Sequence, residues 1–337
     1  MSFSIGYVGS RALRLPVFLD ANLIGQTPPG LRSYNLLDAQ GNVTQQLTVP
    51  VYVTTDRRDS RLQSYNTGFS VANSWYNSMA VSLRRPFNNG LELLLNYTWA
   101  RSTDTDQVQG AFGTFFGGNP VLDPNQVHGE NGLSDIDVRN RFVGSFVYQP
   151  RVFHDNKWVK YSLDGFLFSG TETASAGQPI VASMSGTVYN GGPSSFGADG
   201  NIYGGAMSSS SGLATTGRPP QIGRNSIVGP GFNNFDFRIS RDVPLRESVR
   251  LQLNAEAFNL LNHRIITGVN SIYSAYNAAT PTSATCNSAS AAPVGSALQG
   301  CISPYSGTGT AAFGVANSTS NALYGPRQLQ FSAKLVF

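Results

Sequence analysis

In short stretches of this chain apolar and polar residues alternate one for one, separated by longer runs rich in Gly, Pro and Asn. Successive side chains of a strand point to opposite faces, so this period predicts half-buried β-strands. Eight such stretches are readable. Residues 2–10 set Phe3, Ile5 and Tyr7 against Ser4 and Gly6. Residues 76–85 set Met79, Val81 and Leu83 against Ala80, Ser82 and Arg84. Residues 91–100 set Leu91, Leu93, Leu95, Tyr97 and Trp99 against Glu92, Leu94, Asn96 and Thr98. The run at 86–90 between these two ends in Asn-Gly, a strong hairpin signal. Residues 141–149 and 158–169 alternate less cleanly, because Val143, Val147 and Phe168 interrupt the polar face. Residues 233–241 set Phe235, Phe237 and Ile239 against Asp236, Arg238 and Ser240. Residues 249–259 set Val249, Leu251, Leu253, Ala255 and Ala257 against Arg250, Gln252, Asn254 and Glu256. The last stretch, 328–337, sets Leu329, Phe331, Ala333, Leu335 and Phe337 against Gln328, Gln330, Ser332 and Lys334.

The spacing of these stretches says more than any one of them. Short connections at 86–90, 150–157 and 242–248 alternate strictly with long ones at 11–75, 101–140, 170–232 and 263–327. An antiparallel up-and-down transmembrane β-barrel, with short periplasmic turns and long extracellular loops, produces this alternation. A β-sandwich has no reason to place every long loop at one end. Strands of about 9–11 residues also suit a tilted bilayer crossing. The first long connection shows no helical period, and its run at 46–54 reads as a further short strand. The fold class expected is therefore all-β: a barrel segment of about eight strands.

Composition sharpens this. Charged residues make up 12% of the chain, about half the usual share in soluble domains. Aromatics at 11% and 36 glycines exclude a disordered chain and speak against an ordinary soluble α/β enzyme. No apolar run approaches the roughly 18 residues of a transmembrane helix. Mean hydropathy is −0.15, as expected where transmembrane strands are half polar. The net charge of +4 is scattered along the sequence, so no nucleic-acid footprint is present. The first ten residues lack the basic and apolar regions of a signal peptide and read as mid-strand, so the chain is expected to be part of something longer.

Candidate site residues follow from the faces. Arg84, Glu92, Asp236, Arg238, Arg250, Glu256 and Lys334 lie opposite the apolar stripes and are expected to face the barrel lumen. Facing lipid at the midplane, a Lys or Arg would cost about 2–4 kcal/mol. Tyr97, Trp99, Tyr148, Trp158 and Phe337, with Phe146 and Phe258, are expected in the aromatic girdles. Cys286 and Cys301 are the only cysteines and share one long connection, a pattern that predicts a disulfide in an oxidising compartment. His128, His154 and His263 are far apart and form no metal-binding spacing. Glu130, Asp135 and Asp137 could ligate calcium on an outer loop, but lack the full acidic pattern. A solvated acidic loop pairing with Arg139 or Arg141 is the better reading, and Asp104 and Asp106 read the same way. The stretch 259–262 reads as a strand cap, and Phe112, Phe115 and Phe116 fit either contact with a ligand or a loop packing on itself. Gly307-Thr-Gly-Thr lacks the Lys and helix of a phosphate loop, and no nucleophile elbow is present. Neither a cofactor nor an enzymatic activity is expected.

Several motifs together resemble the C-terminal barrel of TonB-dependent outer-membrane receptors, specifically the Oar-like group with a carboxypeptidase-regulatory-like N-terminal domain. They are Tyr7-Val-Gly-Ser-Arg, Tyr76-Asn-Ser-Met-Ala-Val-Ser-Leu-Arg-Arg, and Asn89-Gly-Leu-Glu-Leu-Leu-Leu-Asn-Tyr-Thr-Trp-Ala-Arg-Ser. Ser134-Asp-Ile-Asp-Val-Arg-Asn-Arg-Phe-Val, Asn254-Ala-Glu-Ala-Phe-Asn-Leu-Leu-Asn-His and Tyr324-Gly-Pro-Arg-Gln-Leu-Gln-Phe-Ser-Ala-Lys-Leu-Val-Phe complete the set. The resemblance implies residence in the outer membrane of a Gram-negative type bacterium and a part in substrate recognition and uptake. Such receptors resemble plugged barrels of about 22 strands. Residues 1–337 are therefore expected to form the C-terminal part of the barrel, without plug or signal peptide. The implied partners are outer-membrane lipid, the remainder of the receptor and the barrel assembly machinery. The alternative is a stand-alone eight-stranded barrel with a structural or adhesive role. A secreted carbohydrate-binding sandwich is a third reading, which the one-ended long loops disfavour.

Overall fold

The computed structural model describes the chain apart from residues 23, 26–29, 54–57, 60, 63–64, 106–124, 151–164, 181, 186–200, 204–218, 220, 247–248, 279–280, 288–297, 309–311 and 320–324. Eight long strands carry the fold. They are β1 (Ser2–Asp20), β2 (Asn66–Asn88), β3 (Leu91–Asp104), β4 (Asn140–Tyr148), β5 (Phe166–Ser175), β6 (Phe232–Arg246), β7 (Val249–Phe258) and β8 (Gln328–Val336). Each pairs antiparallel with its sequence neighbour, in the order β1 to β8, and the short strand Gly132–Leu133 adds to β3. Among the described residues β1 pairs only with β2 and β8 only with β7, so the sheet is not closed into a ring.

The register turns local alternation into two continuous faces. Leu91, Tyr148, Phe168, Ile239, Ala255 and Phe331 are successive cross-strand partners from β3 to β8. The next row, on the opposite face, runs Glu92, Val147, Ser169, Arg238, Glu256 and Gln330. A slip of one residue at any seam would bring an apolar row against a polar one, so the pattern specifies the pairing. Aromatic rings fill the apolar face, with Phe146 and Phe168 each beside Phe237 at centroid separations of 6.3 and 6.4 Å. Gly170 lies between them, paired with both Phe146 and Phe237. A Cβ there would stand 2.6 Å from the Phe146 ring and 3.1 Å from the Phe235 ring, so the flanking rings cover the glycine.

Several boundaries differ from the sequence reading. β1 and β2 run far beyond 2–10 and 76–85, and with Gly30–Leu37 and Val43–Val53 they make most of the stretch assigned to the first long connection strand. The extension tolerates polar residues, Pro16 and a bulge around Arg14 (φ 56°), because β1 is an edge strand. Strand β2 continues through Pro86 with a bulge between Arg85 and Asn88. The turn itself is only Asn89-Gly90, with φ of 51° and 79°, the left-handed pair of a type I′ hairpin. Strand β6 likewise runs on to Arg246, past the expected turn start at Asp242. Strand β5 covers Phe166–Ser175, so it runs past the expected end at 169, while 158–164 of the expected stretch lie outside the described residues. Its second half, Gly-Thr-Glu-Thr-Ala-Ser, lacks apolar alternation and is placed by ladders to β4 and β6. The turn expected at 150–157 falls almost wholly outside the described residues.

The described parts of the long connections carry strands of their own. Three of them combine into a second, six-stranded sheet in the order Ser183–Ser185, Ile272–Ala278, Leu298–Pro304, Gly30–Leu37, Val43–Val53 and Asn201–Tyr203. The short strand expected at 46–54 is part of this sheet, as Val43–Val53. Cys286 and Cys301 are joined by a disulfide and buried against Leu37. They therefore lie in a packed core, not in an exposed loop. A small apolar cluster of Val17, Leu19, Ala72 and Val127 fills the space where the β1–β2 extension meets the second connection.

Candidate functional site

The seven charges expected in the lumen share one face of the sheet. Register places Arg84 opposite Leu94, Glu92 opposite Val147, Asp236 opposite Thr171, Arg250 opposite Val336 and Lys334 opposite Gln252. Arg238 and Glu256 pair directly, Nη1 to Oε1 at 3.2 Å. Arg238 also donates to Ser240 Oγ at 3.0 Å and to Asn254 Oδ1 at 2.9 Å. Asn254 passes the chain on, donating to Ser332 Oγ at 3.1 Å. A hydrogen-bonded ladder thus crosses β6, β7 and β8, where each donor holds the next acceptor in place. Asp236 accepts from the backbone N–H of Asn259 at 2.8 Å and so ties the loop-side end of β7 to β6.

The girdle candidates separate. Tyr97 and Trp99 lie on the apolar face at the end of β3 that leads to a long connection, and Tyr97 donates to Asn140 Oδ1 at 2.6 Å. Tyr148 lies on the same face at the short-turn end, opposite Leu91. Phe337 follows the last strand residue and is 88% exposed. Trp158 lies outside the described residues, as do Phe112, Phe115, Phe116, His154 and Asp106. Phe146 packs against Phe237 within the apolar face. Phe258 does not join it: its partner is Gln328, on the polar face.

The acidic residues near the second connection are organised differently from a solvated loop. Asp104, Glu130 and Asp137 are 3%, 4% and 3% exposed. Asp137 accepts from the Ser102 N–H at 2.5 Å and stands 3.7 Å from Arg139. Asp104 pairs with Arg224, a residue of the next long connection that is itself 5% exposed. Arg224 also donates to the carbonyls of Asp104 at 2.7 Å and Glu130 at 3.0 Å, with Asp135 4.0 Å away. Beside it, Asn225 takes φ of 54° and donates to the Leu133 carbonyl at 2.7 Å and to Asp135. The acidic cluster is thus a receptor for an Arg-Asn pair from another loop. Nothing local in the sequence marked Arg224, since its partners lie 94 and 120 residues away. Among the described residues no group of three or more His, Cys, Asp or Glu is placed to hold a metal.

The cap expected at 259–262 has its geometry. Asn259 and Asn262 take φ of 49° and 50°. Asn259 donates to the His263 and Gly325 carbonyls at 3.0 and 3.1 Å, and Asn262 accepts from the Arg327 N–H at 3.1 Å. The two asparagines therefore close the end of β7 and position the entry to β8.

This sheet, with one apolar face and long connections gathered into their own structure, is that of an outer-membrane barrel. The chain matches the family described as outer membrane beta barrel domain over residues 1–330, and it belongs to that family. It is a protein of the outer membrane, and its long strands are transmembrane β-strands. No characterised protein matches the sequence.

Proposed function

We propose that the chain is the C-terminal barrel part of a TonB-dependent, Oar-like outer-membrane receptor, contributing to substrate recognition and uptake. The observation that carries this reading is the open sheet. β1 and β8 each have one described neighbour, and Phe3 and Phe331 on them are 64% and 77% exposed. Unpaired edges of this kind call for further strands. The receptor motifs quoted above support the reading further. The second sheet, joined from three connections, would form the recognition surface, and the polar ladder would line the passage. The role is binding and transport, without catalysis.

The test is heat-modifiability. The chain is refolded in detergent, and boiled and unboiled samples are compared on a gel. No mobility shift on boiling is expected, because the sheet edges stay open and no closed barrel forms. A clear shift would mean that eight strands close alone, and would replace the proposal with a self-sufficient barrel of structural or adhesive role.

A further inference from the structure

The apolar face changes character at the long-connection end of β1, β2 and β3. Phe3, Ile5 and Tyr7 lie opposite Leu83, Val81 and Met79, and these in turn opposite Leu95, Tyr97 and Trp99. The next two rows of the same face are mostly polar: Gly9, Asn77 and Arg101, then Arg11, Trp75 and Thr103. Tyrosines mark the border. The Tyr7 ring folds over Gly9, where a Cβ would meet its hydroxyl at 2.6 Å, and its O–H donates to Asn77 Oδ1 at 2.6 Å. Tyr97 donates to Asn140 Oδ1 in the same way. Rings with an apolar body and a tethered polar tip suit the headgroup level of a membrane.

Two cations stand just beyond that border. Arg11 and Arg101 are exposed and lie on strands either side of β2. Strand spacing and rise put their Cα atoms about 12 Å apart, within joint reach of two long side chains. Arg11 holds its guanidinium carbon 5.9 Å from the centre of the Trp75 ring, a cation–π contact that uses none of its N–H donors. Arg101 makes no hydrogen bond or ion pair among the described residues. Asn77 sits between the two, and its oxygen is taken by Tyr7, which leaves its amide N–H donors. No carboxylate occupies either row. A cation on a lipid-facing surface is costly at the midplane and nearly free at the headgroups, where phosphate oxygens accept charge-assisted hydrogen bonds. The long connections lie on the outer side, so the leaflet at this end is the outer one.

We propose that Arg11, Asn77 and Arg101 form a phosphate site for a phosphorylated glycolipid of the outer leaflet, whose acyl chains lie against Tyr7, Met79 and Trp99. The inference rests on outer-membrane residence and is independent of the receptor reading.

The full chain refolded in neutral detergent is titrated with diphosphoryl lipid A, and separately with the same lipid after removal of its phosphates. Bound lipid is counted by native mass spectrometry. Wild type should retain one lipid A, preferred about tenfold over the dephosphorylated form, as charge-assisted contacts imply. Arg11→Gln and Arg101→Gln should each reduce the preference. The double substitution should abolish it and leave the affinity for the dephosphorylated lipid unchanged. Arg246→Gln, at the short-turn end of β6, should change neither affinity. Inorganic phosphate at the concentration of the lipid should not displace it, since the free anion lacks the acyl contacts. Equal wild-type affinity for the two lipids, or a preference that survives the double substitution, overturns the site. Displacement by inorganic phosphate would make it a site for the free anion and overturns the lipid assignment. Should variants with Arg11→Gln not fold, Arg101→Gln decides, because Arg101 has no bond within the described sheet to lose: an undiminished preference overturns the proposal.

Discussion

Arg224 donates to the backbone carbonyl of Asp104 at 2.7 Å and pairs with its carboxylate, joining two long connections 120 residues apart. Both side chains are almost fully buried. Removing one partner leaves the other charge buried and alone, which costs roughly 3–5 kcal/mol. Arg224→Ala is expected to expose 127–137 to protease and hydrogen exchange while protection of β6 to β8 is kept. A double substitution, Arg224→Met with Asp104→Leu, should recover much of the loss, because an apolar pair of similar size has no desolvation to offset.

Arg238 and Glu256 make a weaker contact. Their side chains are 43% and 23% exposed, so the pair is worth about 0.2–1 kcal/mol. A double-mutant cycle in urea should return a coupling in that range. Asn254→Leu should cost more than Glu256→Gln, since it breaks the bonds to both Arg238 and Ser332 at once.

Two glycines should respond differently to alanine. At Gly170 the obstacle is the edge of the Phe146 ring, which can rotate, so Gly170→Ala is expected to cost about 1 kcal/mol. At Gly90 the new Cβ would lie 2.1 Å from the backbone oxygen of Gln149, and φ is 79°. Backbone must move there, so Gly90→Ala should be the more damaging, measured as the larger drop in the urea midpoint of the refolded chain.

The Cys286–Cys301 bond closes a segment of 15 residues in the second sheet. A loop of that length contributes about 3 kcal/mol through the unfolded state. Reduction, or replacement of both by Ser, should make 281–304 protease-sensitive and leave the membrane sheet unchanged. Equal sensitivity with and without reductant would show that the second sheet holds without the bond.

Asp38 turns the hairpin between Gly30–Leu37 and Val43–Val53. Hydrogen bonds from the Asn42 side chain and backbone, and from the Gln40 N–H, hold its carboxyl below the ordinary value. A carboxylate with a depressed folded value stabilises at pH above its unfolded value, about 3.9, and loses that contribution as pH falls through the folded value. Hydrogen exchange at 38–42 should therefore rise relative to its intrinsic rate on acidification below pH about 4, and Asp38→Asn should flatten that response.

The existence of the long strands, most of their face assignments and the order of short and long connections were determined by the sequence alone. Side-chain alternation is a local property: Phe235, Phe237 and Ile239 declare their face within five residues. That the chain is an outer-membrane barrel was legible for the same reason. Where local signal failed, pairing decided. The second half of β5 has no apolar period and becomes strand because β4 and β6 supply ladders on both sides. The far ends of β1 and β2 lack a strict alternation and hold through each other. Phe258 could be assigned to its face only from its register with Gln328. What only tertiary structure decided are the meetings between remote connections: Arg224 with Asp104, Cys301 in a sheet with Asn35, Asn259 with Gly325. Such contacts have no sequence period. They depend on which loop tips the folded strands bring side by side, and that placement exists only once the register of every strand is fixed.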